Sequence, residues 1–371
     1  MTYFMSHFAS KSNRIATLDI LRLAAALAVV AYHYLFRGAV GEAFLANDYP
    51  EAAPFAIYGF LGVNLFFLIS GFVIAWSAEG RSWHEFAIAR FSRIYPGFVI
   101  CMTITFAVLY VSSDALLTVT LTQFGANLLM FSPVLKQPFV DGAYWSIILE
   151  LIFYGWIVLA LLTGVYARWK LELAAIWLAI VVINEYVIGS GALRFLFITE
   201  YAPLFIAGMM LHHIMVHGRS RKAIALALAS FILSCALMRI GQEWMQENFG
   251  LSIPFVNLVI ANTVIYGLLI GGVLLRPYLR TSSITLMLGG MTYPLYLLHQ
   301  NIGYVAINAL TPSAGRWAAF AAVAVAALVL SWAIWQFGEK PARKLLIGFI
   351  ARLSEILRSL SKAGRARLKA P

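Results

Sequence analysis

The sequence predicts an all-α, polytopic membrane protein of about ten transmembrane helices. A re-entrant or surface segment joins them, and both the N- and C-termini are cytoplasmic. Three observations predict this. First, 62% of the 371 residues are apolar and 12% are charged, against about 45–50% and about 25% in soluble domains. Second, the apolar residues fall into runs of the roughly 20 residues that a membrane-crossing helix needs. Third, the net charge of +11 is spread over alternate connections. The composition excludes a disordered chain, a collagen and a disulfide-stapled secreted domain. It also argues against a soluble enzyme, whose interior would be too small for so much apolar surface.

The predicted spans run at about 15–36, 54–77, 95–112, 144–166, 171–189, 196–216, 223–240, 254–275, 284–310 and 317–337. A weaker apolar stretch, 115–131, is interrupted by Gln123, Gly125 and Asn127. Basic residues concentrate on the cytoplasmic side of membrane proteins. With the N-terminus inside and 115–138 kept on the outer side, the outer loops hold only Arg37, Lys136, Arg194, Arg239 and Arg316. Arg22 lies within a span, and every other Lys and Arg, from Lys11 and Arg14 to Lys369, falls inside. A full span at 115–131 would turn Arg168 and Lys170, and Arg219, Arg221 and Lys222, outward.

Two regions follow: a membrane-embedded domain, 1–340, and a basic amphipathic cytoplasmic tail, 341–371. In the tail Leu345, Leu346, Phe349, Ile350, Leu353, Ile356, Leu357 and Leu360 recur at helical spacing among bases. That pattern suits a helix lying on the anionic inner leaflet, with membrane lipid as its partner. Charge spread over every inner loop forms no single face for nucleic acid, so none is expected as a partner. The first apolar run is longer than a signal-peptide core and contains Arg22 and His33, so it is not read as cleavable. Cys101 and Cys235 sit in apolar runs and read as buried, reduced thiols.

Function is carried by the few polar residues inside spans, which are costly there. Arg22 and His33 are eleven residues apart. On a helix that separation leaves them about 20° apart in azimuth and about 16.5 Å apart along the axis. Taken singly, Arg22 snorkels or pairs with Asp19, and His33 is a polar interface residue. As a matched pair they mark a functional face. Glu150 lies about 9 Å into the fourth span, and His299 falls in the outer half of the ninth. A histidine oriented by a carboxylate is a workable general base near neutral pH; a structural ion pair is the competing reading. The ligand spacing of a metal site is absent, and no metal is expected. In the second span Gly59, Gly62, Ser70 and Gly71 permit close helix approach. After it, Arg90 and Arg93 share a helix face. They either grip phosphates or simply keep positive charge inside.

The residues Arg22-x10-His33, Gly62-Val63-Asn64-Leu65-Phe66-Phe67 with Ser70-Gly71-Phe72, Arg90-x-x-Arg93-Ile94-Tyr95-Pro96, Trp145-Ser146-x3-Glu150-x2-Phe153-Tyr154, Tyr293-Pro294-Leu295-Tyr296-x2-His299 and Glu339-Lys340-Pro341-x-Arg343 occur in that order. Together they resemble the acyltransferase-3 family of integral membrane acyltransferases across nearly the whole chain. The resemblance implies a multi-pass protein of the bacterial cytoplasmic (inner) membrane. It implies transfer of an acyl group, usually acetyl, from cytoplasmic acetyl-CoA to a hydroxyl of a surface glycan or lipid-linked saccharide, of O-antigen or exopolysaccharide type. It implies His33 as catalytic histidine with Arg22 as its motif partner, and Glu150 and His299 as members of the site. Arg90 and Arg93, with Ser70, would hold the donor. Asn64 stands where the family commonly has Asp, so no charge role is expected there. The extracytoplasmic esterase-like domain of some members is missing, so the membrane domain is expected to pass the acyl group on itself.

The implied topology suggests a course for the donor. Its phosphates stay at the inner Arg pair while the thin pantetheine arm threads toward His33. His33 then deprotonates the sugar hydroxyl, with Glu150 orienting the imidazole. A covalent acyl-histidine or a second carrier is the alternative chemistry. A multi-pass transporter or flippase is the alternative function, and it would show inverted repeats and paired broken helices.

Overall fold

A computed structural model describes residues 15–112 and 116–367, with side chains through residue 356. Among the described residues every regular element is helical. Lys11, Arg14 and Lys369, counted above as inner charges, lie outside the described residues, as do the side chains of Leu357 and Leu360.

Nine helices among the described residues are long and apolar enough to cross a membrane: Ala16–Gly41, Ala53–Ala78, Trp83–Ser112, Gly142–Leu162, Val165–Ile188, Gly191–His217, Arg221–Phe249, Phe255–Leu274 and Arg316–Ile356. The ninth predicted span forms a helix too, Ser283–Ala314, of 32 residues. Thr292, His299, Gln300 and Asn301 dilute its apolar content, so it falls outside the nine. At about 1.5 Å per residue it still exceeds a hydrocarbon core of about 30 Å. The chain is a multi-pass membrane protein whose long helices follow the order read from the sequence.

The stretch 115–131 does not form a span. It holds the eight-residue helix Leu121–Leu128, opened by a reciprocal cap in which Thr120 Oγ1 accepts from the Gln123 N–H. At about 12 Å it is too short to cross. The third long helix begins at Trp83, well before the apolar run at 95, because Ser82 and Glu85 cap it: the Glu85 carboxylate accepts from the Ser82 N–H at 3.0 Å and from its hydroxyl at 2.7 Å. Arg90, Arg93 and Pro96 therefore ride inside one helix, Trp83–Ser112. At the other end, Arg316–Ala333 passes through the π-turn Ile334–Glu339 into Lys340–Arg367 with no intervening loop. The tail leaves Leu345, Phe349, Leu353 and Ile356 exposed.

The chain divides into two compact units. The first comprises the chain through Ala75 with Ala174–Thr292. Its helices approach through glycine, as the small residues of the second span predict. A Cβ on Gly71 would overlap the Phe205 carbonyl, and one on Gly208 would overlap the Leu68 carbonyl. Without a glycine at both positions the two backbones could not touch. Polar residues join other helices of this unit. Thr17 Oγ1 donates to the Gly272 carbonyl at 2.5 Å, and Asn262 Nδ2 donates to Ser234 Oγ at 2.9 Å. Glu185, buried at the end of its helix, accepts both Nε and Nη2 of Arg194 and the Thr199 hydroxyl. That satisfies a carboxylate the sequence reading left unremarked.

The second unit comprises Trp76–Leu173 and the chain from Tyr293 onward. Phe86, Phe98, Tyr144 and Phe153 fill its core. An extended segment before Trp145 is held by amide side chains. Gln123 Nε2 donates to the Phe139 carbonyl, Asn127 Nδ2 donates to the Pro138 carbonyl, and Asn127 Oδ1 accepts from the Val140 N–H. Such bonds satisfy backbone groups that no regular element pairs.

Candidate active site

The first unit carries Arg22, His33 and Ser70. His33 is 5% exposed and sits where the regular helix Ala16–Tyr32 widens into the π-helix His33–Gly41. Its Nδ1 lies 2.9 Å from the Val29 carbonyl. A carbonyl only accepts, so Nδ1 carries a proton; in the neutral form of the ring Nε2 is then the basic nitrogen. At Nδ1 the ring is oriented by its own helix. Tyr32 stands edge-on to the ring, at 5.1 Å between centroids.

Arg22 pairs with Asp19 at 3.7 Å, three residues before it. Asp19 is buried, and Gly289 makes room for it, since a Cβ there would overlap the carboxylate. Ten residues of continuous helix separate Arg22 from His33, which preserves the shared azimuth read from their spacing. Ser70 is buried one residue before the glycine contact at Gly71. Asn64 is buried, with Nδ2 3.9 Å from the Met238 sulfur. A thioether is a weak acceptor, so this surrounding asks for no charge at position 64.

The second unit carries Arg90, Arg93, Glu150 and His299. Arg93 forms an ion pair with Glu339, a residue 97% buried at the end of the π-turn. The guanidinium also lies over the Tyr293 ring, 5.8 Å from its centroid. Tyr293 in turn donates its hydroxyl to the Ile94 carbonyl at 3.2 Å. Arg90 stands one turn earlier on the same helix. Glu150 accepts from the Tyr154 hydroxyl at 2.6 Å, one turn along its own helix. His299 is 1% exposed. Its Nδ1 faces the Tyr296 carbonyl at 2.8 Å and the Leu295 carbonyl at 3.2 Å. It therefore shares His33's tautomer: proton on Nδ1, lone pair on Nε2. One turn before it, the Tyr296 hydroxyl meets Ser146 Oγ at 2.6 Å.

Sequence reasoning missed one part of this unit. Asp141, fully buried, accepts from the Ala143 N–H at 2.9 Å and the Asn301 N–H at 3.0 Å. Asn301 returns a bond from Nδ2 to the Val140 carbonyl at 3.1 Å. This reciprocal clamp pins the segment before Trp145 to the helix two residues from His299. A signal was available: His299-Gln300-Asn301 puts three consecutive polar residues inside an apolar helix, which needs partners. The role of Glu339 also went unassigned, although its motif was read. Among the described residues no three His, Cys, Asp or Glu side chains converge as a metal site would require. Cys101 is buried, whereas Cys235 is only half-buried, 3.3 Å from Asn262 Nδ2; both are free thiols.

The fold and these side chains define a multi-pass membrane protein that buries histidines and carboxylate-held arginines inside its helices. The family model described as an acyltransferase domain matches residues 15–336, and the chain belongs to this acyltransferase-3 family. It is 27% identical to the exopolysaccharide production protein ExoZ of Rhizobium meliloti (strain 1021), over 80% of this chain and 95% of that one. It is 31% identical to the acyltransferase MdmB of Streptomyces mycarofaciens, over 38% of each chain. No solved structure matches the chain. The protein is a membrane acyltransferase.

Proposed function

We propose that the protein moves an acetyl group from cytoplasmic acetyl-CoA to a hydroxyl of a surface glycan or lipid-linked saccharide. In this reading it works in the bacterial cytoplasmic membrane with both termini inside, and its basic tail helix rests on the inner leaflet. The observation that carries the reading is His33: a buried imidazole inside a span, proton fixed on Nδ1 by the Val29 carbonyl, lone pair on Nε2. In its neutral form this tautomer presents Nε2 as the general base. The acceptor class is supported by the relative named for exopolysaccharide production, which this chain matches over nearly its full length.

His33 Nε2 takes the proton of the acceptor hydroxyl as its oxygen attacks the thioester carbonyl. The new C–O bond forms, the C–S bond breaks, and the departing thiolate takes the proton to leave as CoA. Arg90 and Arg93 hold the CoA phosphates, because guanidinium forks suit phosphate oxygens and those charges do not cross lipid. Ser70 belongs with them on the donor side. Arg22 sets charge on the same helix face as His33, and His299 and Glu150 complete the site.

Mass spectrometry of surface glycan tests the reading. Cells lacking the gene should lose one acetyl mass per modified unit. The wild-type gene should restore it and the His33→Ala form should not. Unchanged glycan in the deletion strain would overturn the assignment of acceptor.

A further inference from the structure

The helix Ser283–Ala314 carries three consecutive polar side chains, His299, Gln300 and Asn301, and they are not satisfied alike. His299 turns Nδ1 to carbonyls of its own helix. Asn301 completes the clamp with Asp141 and Val140. Between them Gln300 is 3% exposed, and its Oε1 is buried with no hydrogen-bond donor among the described residues. A buried amide oxygen left unpaired is costly and calls for a reason. The amide nevertheless has a seat. Gly142 leaves room for it: a Cβ there would stand 2.6 Å from Gln300 Nε2 and 3.2 Å from Oε1. The clamp fixes that seat, because the Asp141 carboxylate accepts from the Ala143 N–H on the far side of Gly142 and from the Asn301 N–H. The surround is held in place, and it offers the oxygen no donor.

The position of Gln300 along its helix is also informative. Tyr293, whose ring meets the Arg93 guanidinium, stands seven residues before it. Seven residues of helix leave two side chains about 20° apart in azimuth and about 10.5 Å apart along the axis. Gln300 thus continues the helix face that meets Arg93, but well beyond the arginine and beside His299.

We propose that Gln300 is an acceptor-binding residue: its amide oxygen receives a hydrogen bond from a saccharide hydroxyl neighbouring the one that is acylated. This rests on the reading that the acceptor is a saccharide. A sugar hydroxyl supplies the donor that the protein withholds. The amide is closed to bulk water, so the bond forms out of solvent, where a missing partner is penalised most. The free protein carries the cost of the unpaired oxygen, and only an acceptor with a hydroxyl at that place removes it. Sites of this kind reject analogues that lack the group.

The experiment measures steady-state kinetics of the purified full chain in proteoliposomes. The substrates are acetyl-CoA and lipid-linked saccharide extracted from cells lacking the gene, and the proteins are wild type, Gln300→Met and Gly142→Ala. Gln300→Met keeps the side chain's length and removes the amide. It should raise KM for the saccharide about tenfold, equivalent to about 1.4 kcal/mol, and leave KM for acetyl-CoA unchanged. Its unfolding temperature should stay level or rise, because an unpaired buried polar group has gone. Gly142→Ala, which displaces the amide without altering it, should raise the saccharide KM by a smaller factor. A lowered unfolding temperature in Gln300→Met with both KM values unchanged would overturn the proposal, since it marks an amide that serves the fold alone, as one bonded to a fixed internal water does. Equal rises in both KM values, or no change in any quantity, would overturn it as well. If the wild type itself acylates no saccharide, the saccharide reading fails and this role with it.

Discussion

Each unit holds an arginine–carboxylate pair, and the two are built differently. Arg22 and Asp19 are three residues apart on one helix and meet at 3.7 Å. Arg93 and Glu339 are 246 residues apart, and the acid is buried beneath the arginine. The first pair exists wherever its helix exists. The second exists only once helices distant in sequence have packed. A local pair therefore reports a helix face, whereas a distant pair reports an assembled site. Both acids are buried and both arginines are partly exposed, so removing either arginine leaves an uncompensated carboxylate; the pairs differ in separation and in sequence distance.

That contrast breaks most readily at Arg93. Arg93→Ala should destabilise the protein by about 3–5 kcal/mol, the cost of an unpaired buried carboxylate. Arg22→Ala should cost clearly less, because its pair is longer and local. Thermal unfolding of both variants in the same detergent checks the order, and equal losses would erase the distinction. Next in size is the clamp that fastens the segment before Trp145. Asp141→Ala leaves the Ala143 and Asn301 N–H groups without their acceptor. It should cost about 1–3 kcal/mol, with faster amide exchange around Val140. Smallest is Tyr154→Phe, which removes one local hydrogen bond to Glu150. A loss of about 0.5–1.5 kcal/mol is expected; a loss as large as that of Arg93→Ala would show that local bonds here are not weak.

The same contrast explains what could be read from the sequence. The order of long helices was legible, because each span is a contiguous apolar run. The Asp19–Arg22 pair was legible for the same local reason. So was the Arg22–His33 alignment, which needs only helical periodicity. The start at Trp83 was recoverable but outweighed: Ser82 and Glu85 signal a cap, yet the basic turns after it read as loop to a hydropathy scan. One contact of His33 was legible in principle but not drawn. A carbonyl one turn back on the same helix lay closer to hand, and that contact is fixed by local geometry. The Arg93–Glu339 socket and the Asp141–Asn301 clamp were not legible. Nothing in sequence spacing says which distant helices will touch, and residue type alone gives a carboxylate many possible partners.

Catalysis by His33 is open to a direct assay. Purified protein in proteoliposomes would be given acetyl-CoA labelled in the acetyl group together with a lipid-linked saccharide, and label in the saccharide counted for wild type and His33→Ala. The account predicts transfer by the wild type. For His33→Ala it predicts a rate lower by about 10²–10⁴-fold, the usual worth of a positioned general base, at an unchanged unfolding temperature. A folded His33→Ala protein that labels the saccharide at the wild-type rate would contradict it.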